Sequence, residues 1–322
     1  MADKITRRTF VRKSAGIGAV SVLGGSLFSA AGCGNAEGPE PEAATPDAVD
    51  IGVAGGGADQ EKGALAVRAV ELLGGIKRFV PSGSRVCLLP NTQIARPGTF
   101  TKPEILRVVI GMCREAGAEA VTCLSWLQQK HWDATGLGKA VEEAGGTLKL
   151  VAMKDPSLYR KVPIPKGVAL KEARIMKAFF EHDVFINLPI TKDHAGNRFT
   201  GTMKNLMGLN MQETNMEFHT GNFKDDDILH LDQCIADLNT VITPALCIVD
   251  ATEFIITNGP FGPGDILRPM KVVAGTDRVA IDAYCAGLWG LEPREIVMID
   301  RGFKHGLGEI DLEKKKIRET TL

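Results

Sequence analysis

The sequence predicts an α/β fold, a mostly parallel sheet with helices on both faces, and three observations predict it. Apolar runs of strand length alternate with helically spaced segments from residue 64 onward, the rhythm of β-α-β units. Asp183-Val-Phe-Ile-Asn-Leu188 is a buried strand, and Pro189 terminates it. Helix start and stop signals stand between the runs, most plainly Thr101 ahead of Pro103 and Glu104, with Gly117 just past the end.

Taken in order, Leu65, Val67, Val70 and Leu73 have helical spacing, and Gly74-Gly75 stops that helix. Residues 85–89 form a strand ended by the Pro90-Asn91 turn. The helix after Thr101 leads to a strand at 120–124. A helix over 134–144 closes on Gly145-Gly146, and a strand follows at 147–152. Residues 156–167, with three prolines, read as a loop or an edge excursion. After the 183–188 strand comes a polar, Met-rich loop over 190–220, then a helix at 227–238 and a strand at 245–250. The turn-rich stretch 258–264 precedes a strand at 270–274 and a helix at 277–288.

The ends of the chain carry their own information. Thr6-Arg7-Arg8-Thr9-Phe10-Val11 lies in a charged N-terminal region with Lys4, Arg12 and Lys13, and residues 14–32 are uncharged and only mildly apolar. This is the pattern of a twin-arginine export signal, with the twin-arginine translocase as partner during export and a periplasmic or extracytoplasmic destination. It closes on Ala30-Ala31-Gly32-Cys33, the form a lipoprotein signal peptidase needs, so Cys33 is the expected lipidation site and the membrane anchor. Two alternatives remain open, ordinary cleavage after Ser29-Ala30-Ala31 and an uncleaved anchor helix. Residues 34–50 read as a flexible acidic linker. The expected organisation is therefore a signal at 1–33, a linker at 34–50 and a single α/β domain at 51–322.

Residues 1–32 carry five basic groups and one acid, so their removal takes the formal net charge from −1 to −5. With no basic stripe interleaved with aromatics, nucleic acid is not an expected partner. Cys87, Cys113, Cys123, Cys234, Cys247 and Cys285 form no CxxC pair, so no iron-sulfur cluster is expected. Most sit in apolar runs and are expected as buried free thiols, with disulfides the alternative in an oxidising compartment.

The chemistry concentrates after the 183–188 strand, where a loop leaving the carboxyl end of a parallel strand is placed to bind ligands. Lys192, Asp193, His194, Arg198, Thr200, Thr202, Lys204, Asn205 and His219 fall within 28 residues. In Thr200-Gly201-Thr202-Met203-Lys204-Asn205, Gly201 permits close backbone approach and its neighbours offer donors to an anion at a helix start. Asp225-Asp226-Asp227 reads as a helix N-terminus complementing the dipole. His182, His230 and His305 read as structural or surface groups. His131 is placed to face the crevice, and Asp250 and Asp277 suit either a cap or a site.

These segments resemble the large family of unknown function catalogued as domain 362. The resemblance rests on residues 183–189 with Lys192 and His194, on Thr200-Gly201 with residues 204–208, and on 248–250, 258–262 and 275–282, and it spans about residues 85–308. Where that family has Lys-Pro-Asn after the first strand, this chain has Leu89-Pro90-Asn91, and the ferredoxin-like cysteines of many members are missing. A more distant resemblance is to the lactate racemase that uses a nickel-pincer nucleotide. It implies that His194 shuttles a proton, that Lys204 holds the cofactor covalently and that His219 ligates the metal.

The expected function is thus an enzyme acting on an anionic small molecule, or holding a phosphate-bearing or metal cofactor. The alternative is a non-catalytic periplasmic lipoprotein that captures an anionic ligand. In the first, His194 and Lys204 are the candidate catalytic residues; in the alternative the same basic and polar groups only capture the ligand. Lys192, Thr200, Gly201, Thr202 and Asn205 are the candidate cofactor-binding residues, and His219 is the candidate metal ligand. The crevice is expected between the 190–219 segment and the 258–264 loop.

Overall fold

The computed structural model describes residues 48–93, 95–220 and 227–322, so the segment read as an export signal, Cys33, most of the expected linker and Asp225-Asp226 lie outside the described residues. The first half of the chain alternates β1 (Ile51–Gly55), α1 (Lys62–Glu71), β2 (Arg85–Pro90), α2 (Pro103–Glu115), β3 (Ala120–Ser125), α3 (Gln129–Thr135), α4 (Leu137–Glu143) and β4 (Thr147–Leu150). A hairpin of β5 (Tyr159–Pro163) and β6 (Glu172–Met176) precedes β7 (Val184–Leu188). Then come α5 (Thr202–Asn205), α6 (Gln212–Thr220), α7 (Asp227–Asn239), β8 (Leu246–Ala251), β9 (Phe254–Ile255), β10 (Ile266–Leu267), β11 (Lys271–Gly275), α8 (Arg278–Gly287), α9 (Val297–Lys304) and β12 (Ile317–Thr321).

Eight strands form one sheet in the order β12-β1-β11-β8-β7-β2-β3-β4. Only β11 runs against the others, antiparallel to both β1 and β8, so the sheet is mostly parallel, as the sequence predicts. Both faces are covered, and the residues alternate accordingly. Val86 and Leu88, Val184 and Ile186, and Leu246 and Ile248 enter a core built with α1, α2 and α4. Cys87 and Leu89, Phe185, and Cys247 and Val249 enter the opposite core with α5, α7, α8 and α9. At Gly52 a Cβ would stand 2.3 Å from the Ala69 carbonyl oxygen, so α1 lies on β1 at a distance that only glycine permits.

The differences from the sequence reading have local causes. β1 has no helical pattern before it, and three of its five residues are glycine or alanine. β12 is polar and exists through its pairing with β1, which no local pattern announces. The helix read over 134–144 is two helices, because Gly136 takes φ 75° between them. The 156–167 excursion is one arm of the β5–β6 hairpin, and the 190–220 loop contains α5, a 3₁₀ turn at 206–209 and α6. Among the described residues no helix is long and apolar enough to cross a membrane.

All six described cysteines are free and buried, and burial pushes their thiols up, to about 12 for Cys113, Cys234 and Cys247. A buried thiol is a poor nucleophile. We expect the native protein to release almost no thionitrobenzoate from Ellman's reagent at pH 8, and these six thiols to react fully in denaturant. Rapid native labelling of two or more would contradict this core.

Candidate functional site

Beyond β7 the chain stays in the sheet for one more step, since Ile190 bridges Asp250. It then folds back, and Lys192 and Thr200 pair through both backbone hydrogen bonds, at 3.2 and 2.8 Å. This tight return places Lys192 and His194 above the carboxyl end of β7, and α5 carries Lys204 and Asn205 to the same place. The result is a cavity of about 320 Å³ over the carboxyl ends of β2, β3 and β7, where open parallel sheets bind ligands.

The cavity brings together Lys192, His194, Thr200, Lys204, Asn205 and His219. Its other walls come from Asn91, Thr92 and Gln93 after β2, from Ser125 at the end of β3 with Trp126 and Leu127 after it, and from Met153. The helix α6 supplies Gln212, Asn215, Met216 and His219, spaced i, i+3, i+4, i+7 along one face. Two amines and two imidazoles line the cavity, and among the described residues no carboxylate does. Apolar side chains make up the rest of the lining, with Leu89, Leu124, Trp126, Leu127, Met207 and Met216.

Each cationic group is shifted by its surroundings. Lys192 is 1% exposed, and its Nζ donates to the Thr99 carbonyl at 2.6 Å and to Asn91 Oδ1 at 3.3 Å. Burial, and then the neighbouring Lys204, pull its pKa down to about 7. Lys204 Nζ has the Met207 sulfur at 3.6 Å as its hydrogen-bond partner. Burial lowers it to about 8, while the buried Asp232 carboxyl opposes that fall. Asp232 itself is raised to about 7 by burial, with one oxygen on the Met298 amide at 3.0 Å and the other without a partner.

His194 is lowered to about 2 by burial and by the positive charges of Lys204, His219 and Lys192. Its Nδ1 accepts the Gly196 amide at 3.0 Å, which leaves the hydrogen of the neutral ring on Nε2. It is thus a hydrogen-bond donor to a ligand. His219 lies on the exposed side of α6 with its ring 6.3 Å from that of His194 and 14° from parallel, and burial and Lys204 lower its pKa.

Asn205 holds the frame. Its Nδ2 donates to the Leu89 carbonyl at 2.9 Å and to Asn187 Oδ1 at 2.8 Å, and its Oδ1 accepts from Asn91. Asn187 in turn donates to the Thr202 carbonyl at 2.8 Å. Thr200 Oγ1 is buried without a partner.

Gly201 and Thr202 do not line the cavity. The start of α5, read in the sequence as an anion cradle, is filled by the chain's own anion, since Asp282 Oδ1 accepts the Thr202 amide at 2.6 Å and Oδ2 the Met203 amide at 3.1 Å. A Cβ on Gly201 would stand 2.3 Å from Asp282 Oδ1 and 2.6 Å from the Phe199 ring. Close approach is indeed what Gly201 permits, to a carboxylate within the fold.

The 258–264 loop also stands outside the cavity. It props the return from beneath, with the Gly259 amide on Asp193 Oδ2 at 2.7 Å and the Ala195 amide on the Gly259 carbonyl at 3.0 Å. Arg198 is exposed and His131 half-buried, and neither lines the cavity. Asp250 and Asp277 serve as caps and ties, Asp250 to the Lys102 and Thr252 amides and Asp277 to the Ala280 amide and Lys315. His305 contacts the buried Asp237 at 2.8 Å, a structural place as expected. The walls after β2 and β3 and the α6 face are what sequence reading missed. The rule that crevices form at strand carboxyl ends, applied to all three neighbouring strands, points to the first two.

Among the described residues no three His, Cys, Asp or Glu side chains gather as a metal site. The chain offers two imidazoles at this cavity, so a metal held here has to bring further ligands with it.

Comparison with known proteins gives three findings. A family model described as a domain of unknown function, DUF362, matches residues 86–287. A thylakoid-associated protein of Synechocystis is 29% identical over 239 residues, covering 70% of each chain. The lactate racemase apoprotein from Thermoanaerobacterium thermosaccharolyticum aligns with a TM-score of 0.47 and 14% identity, over 76% of this chain and 58% of that one.

Proposed function

The chain belongs to the DUF362 family, and we propose that its cavity binds an anionic small molecule or the phosphate of a cofactor. One observation carries this reading, a lining with two amines and two imidazoles and, among the described residues, no carboxylate. Lys192 and Lys204 bind the anion, His194 Nε2–H and the unpartnered Thr200 hydroxyl donate to it, and the apolar wall receives the rest of the molecule. The thylakoid-associated name of the Synechocystis relative is compatible with a membrane-surface setting. Titration calorimetry with inorganic phosphate, pyrophosphate and adenosine monophosphate tests the site. At least one is expected to bind with a Kd below about 1 mM, and failure of all three ends the reading.

The affinity depends on pH in a defined direction. The amines titrate at about 7 and about 8, so they carry charge below those values, and anion affinity falls as pH rises from 6 to 9. Stability of the empty protein runs the other way. A lysine whose folded pKa lies below its ordinary 10.5 contributes stability above 10.5 that is lost as pH falls through the folded value. Affinity that is flat or rising over this range contradicts the assignment.

A second reading rests on Lys204, an amine near pKa 8 whose hydrogen-bond partner is a thioether, which is the condition of a nucleophilic lysine. In this reading Lys204 would hold a cofactor covalently, His219 would ligate its metal and His194 would handle the proton. A nickel-pincer nucleotide would bring its own metal donors, which the two-imidazole lining requires. Intact mass and metal content of protein purified from the cytoplasm decide it, since an unmodified Lys204 peptide and absence of stoichiometric metal remove the reading.

For localisation we propose export by the twin-arginine route and anchoring through lipidated Cys33. The paired Arg7-Arg8 and the Ala30-Ala31-Gly32-Cys33 ending support it. Mass spectrometry of the mature N-terminus is expected to find diacylglyceryl-Cys33. A different first residue removes the tether, and an intact Met1 in the membrane fraction removes the cleavage.

A further inference from the structure

A second cavity, of about 310 Å³, lies at the opposite, amino-terminal end of β7 and β8. Its lining is aromatic and aliphatic. Phe79, Phe179, Val184, Phe185 and Ile242 are all at most 6% exposed, and Phe179 meets Phe185 edge to face at 5.2 Å and 86°. A cavity of roughly 150 Å³ with comparable walls is enough to hold benzene, so this one has room for one or two fused rings.

The charged groups at its rim are engaged elsewhere. Asp183 takes both hydrogen bonds of the Arg85 fork, at 3.0 Å each. Arg78 donates to the Leu73 carbonyl at 2.9 Å and lies over the Phe79 ring at 5.6 Å. The polar groups left to the cavity are the exposed hydroxyls of Thr243 and Thr276 at its mouth and, as the buried one, His182, which is 7% exposed. Its Nδ1 lies 2.8 Å from the Ala178 carbonyl, and a carbonyl only accepts, so Nδ1 carries the hydrogen. Nε2 is then a lone pair, and no donor among the described residues is in hydrogen-bond contact with it. Burial lowers the pKa of the ring and keeps it neutral.

We propose that this cavity is a second small-molecule site, separate from the cationic one, which takes an uncharged aromatic bearing one hydrogen-bond donor, a phenol or an indole, with His182 Nε2 as acceptor. Behind the polar mouth the inner walls are apolar and hold one buried acceptor, so the site selects by the donor, because a ligand lacking it leaves that acceptor unpaired.

Ligand-detected NMR on the full chain with phenol, indole and toluene tests this. Phenol and indole are expected to bind in the low millimolar range or better, with toluene at least fivefold weaker than phenol. His182→Phe is expected to bring phenol and toluene within a factor of two, while His182→Gln, which keeps an acceptor, preserves part of the preference. If His182→Phe does not fold, the ¹⁵N shift of His182 Nε2 in the wild type reads the same contact, moving on addition of phenol and not of toluene. Lys204→Met is expected to leave phenol binding unchanged. No binding of phenol or indole at 10 mM, equal affinity for phenol and toluene, or loss of phenol binding in Lys204→Met overturns the proposal.

Discussion

Replacing Asp282 with leucine is expected to destabilise the protein by about 2–5 kcal/mol, and to abolish anion binding in whatever fraction still folds. Asp282 is fully buried and is the partner of two successive amides, Thr202 and Met203. Leucine fills similar space but strands both donors in the core, and each unsatisfied buried donor costs about 1–3 kcal/mol. The segment so tied, α5, is only four residues long and cannot stand by its own helical bonds. It carries Lys204 and Asn205, so the cavity loosens with it.

The pH dependence distinguishes this carboxylate from a generic core contact. Burial raises Asp282 to about 6, above its ordinary 3.8. A group raised in this way contributes stability below 3.8 that is lost as pH rises through about 6. The stability difference between wild type and Asp282→Leu is therefore expected to be larger at pH 4 than at pH 7. A difference that does not change with pH, or a variant as stable as the wild type, contradicts this role for Asp282.

The same residue shows what is legible in the chain and what is not. The sheet is readable because β2, β3, β7 and β8 are apolar runs bounded by turn residues, a local signal. The cluster of Lys192, His194, Lys204 and His219 is readable because it is local too, a burst of titratable groups after one strand. What fills the start of α5 is not readable from the 190–220 segment, because Asp282 lies 80 residues further on, in a helix with an ordinary amphipathic pattern. Gly201 and two free amides look the same in sequence whether the anion they meet is a phosphate or a side chain. The polar edge strand β12 is hidden for a related reason, being made by its pairing with β1 and not by its own residues.

The largest functional effect is expected at Lys204, where Lys204→Met should weaken the anion probe that the wild type binds by at least tenfold, while leaving the fold as stable or more so. Holding this amine at about 8 in place of its ordinary 10.5 costs on the order of 3 kcal/mol of folded-state stability near neutral pH. That stability is present above 10.5 and lost as pH falls through 8, so at pH 7 the loss is nearly complete. Methionine matches the stem and carries no charge to bury, and the Met207 sulfur beside it is an apolar neighbour. Asp232, deprived of the nearby cation, shifts further up and becomes neutral, which limits the cost of leaving it alone. A residue kept at such a stability cost in a cavity whose described lining holds no carboxylate is explained by what it binds. Calorimetry and a melting curve on the same variant settle the point, because loss of binding with an unchanged or raised Tm assigns Lys204 to the ligand, whereas a Tm lowered by more than about 5 °C assigns it to the fold.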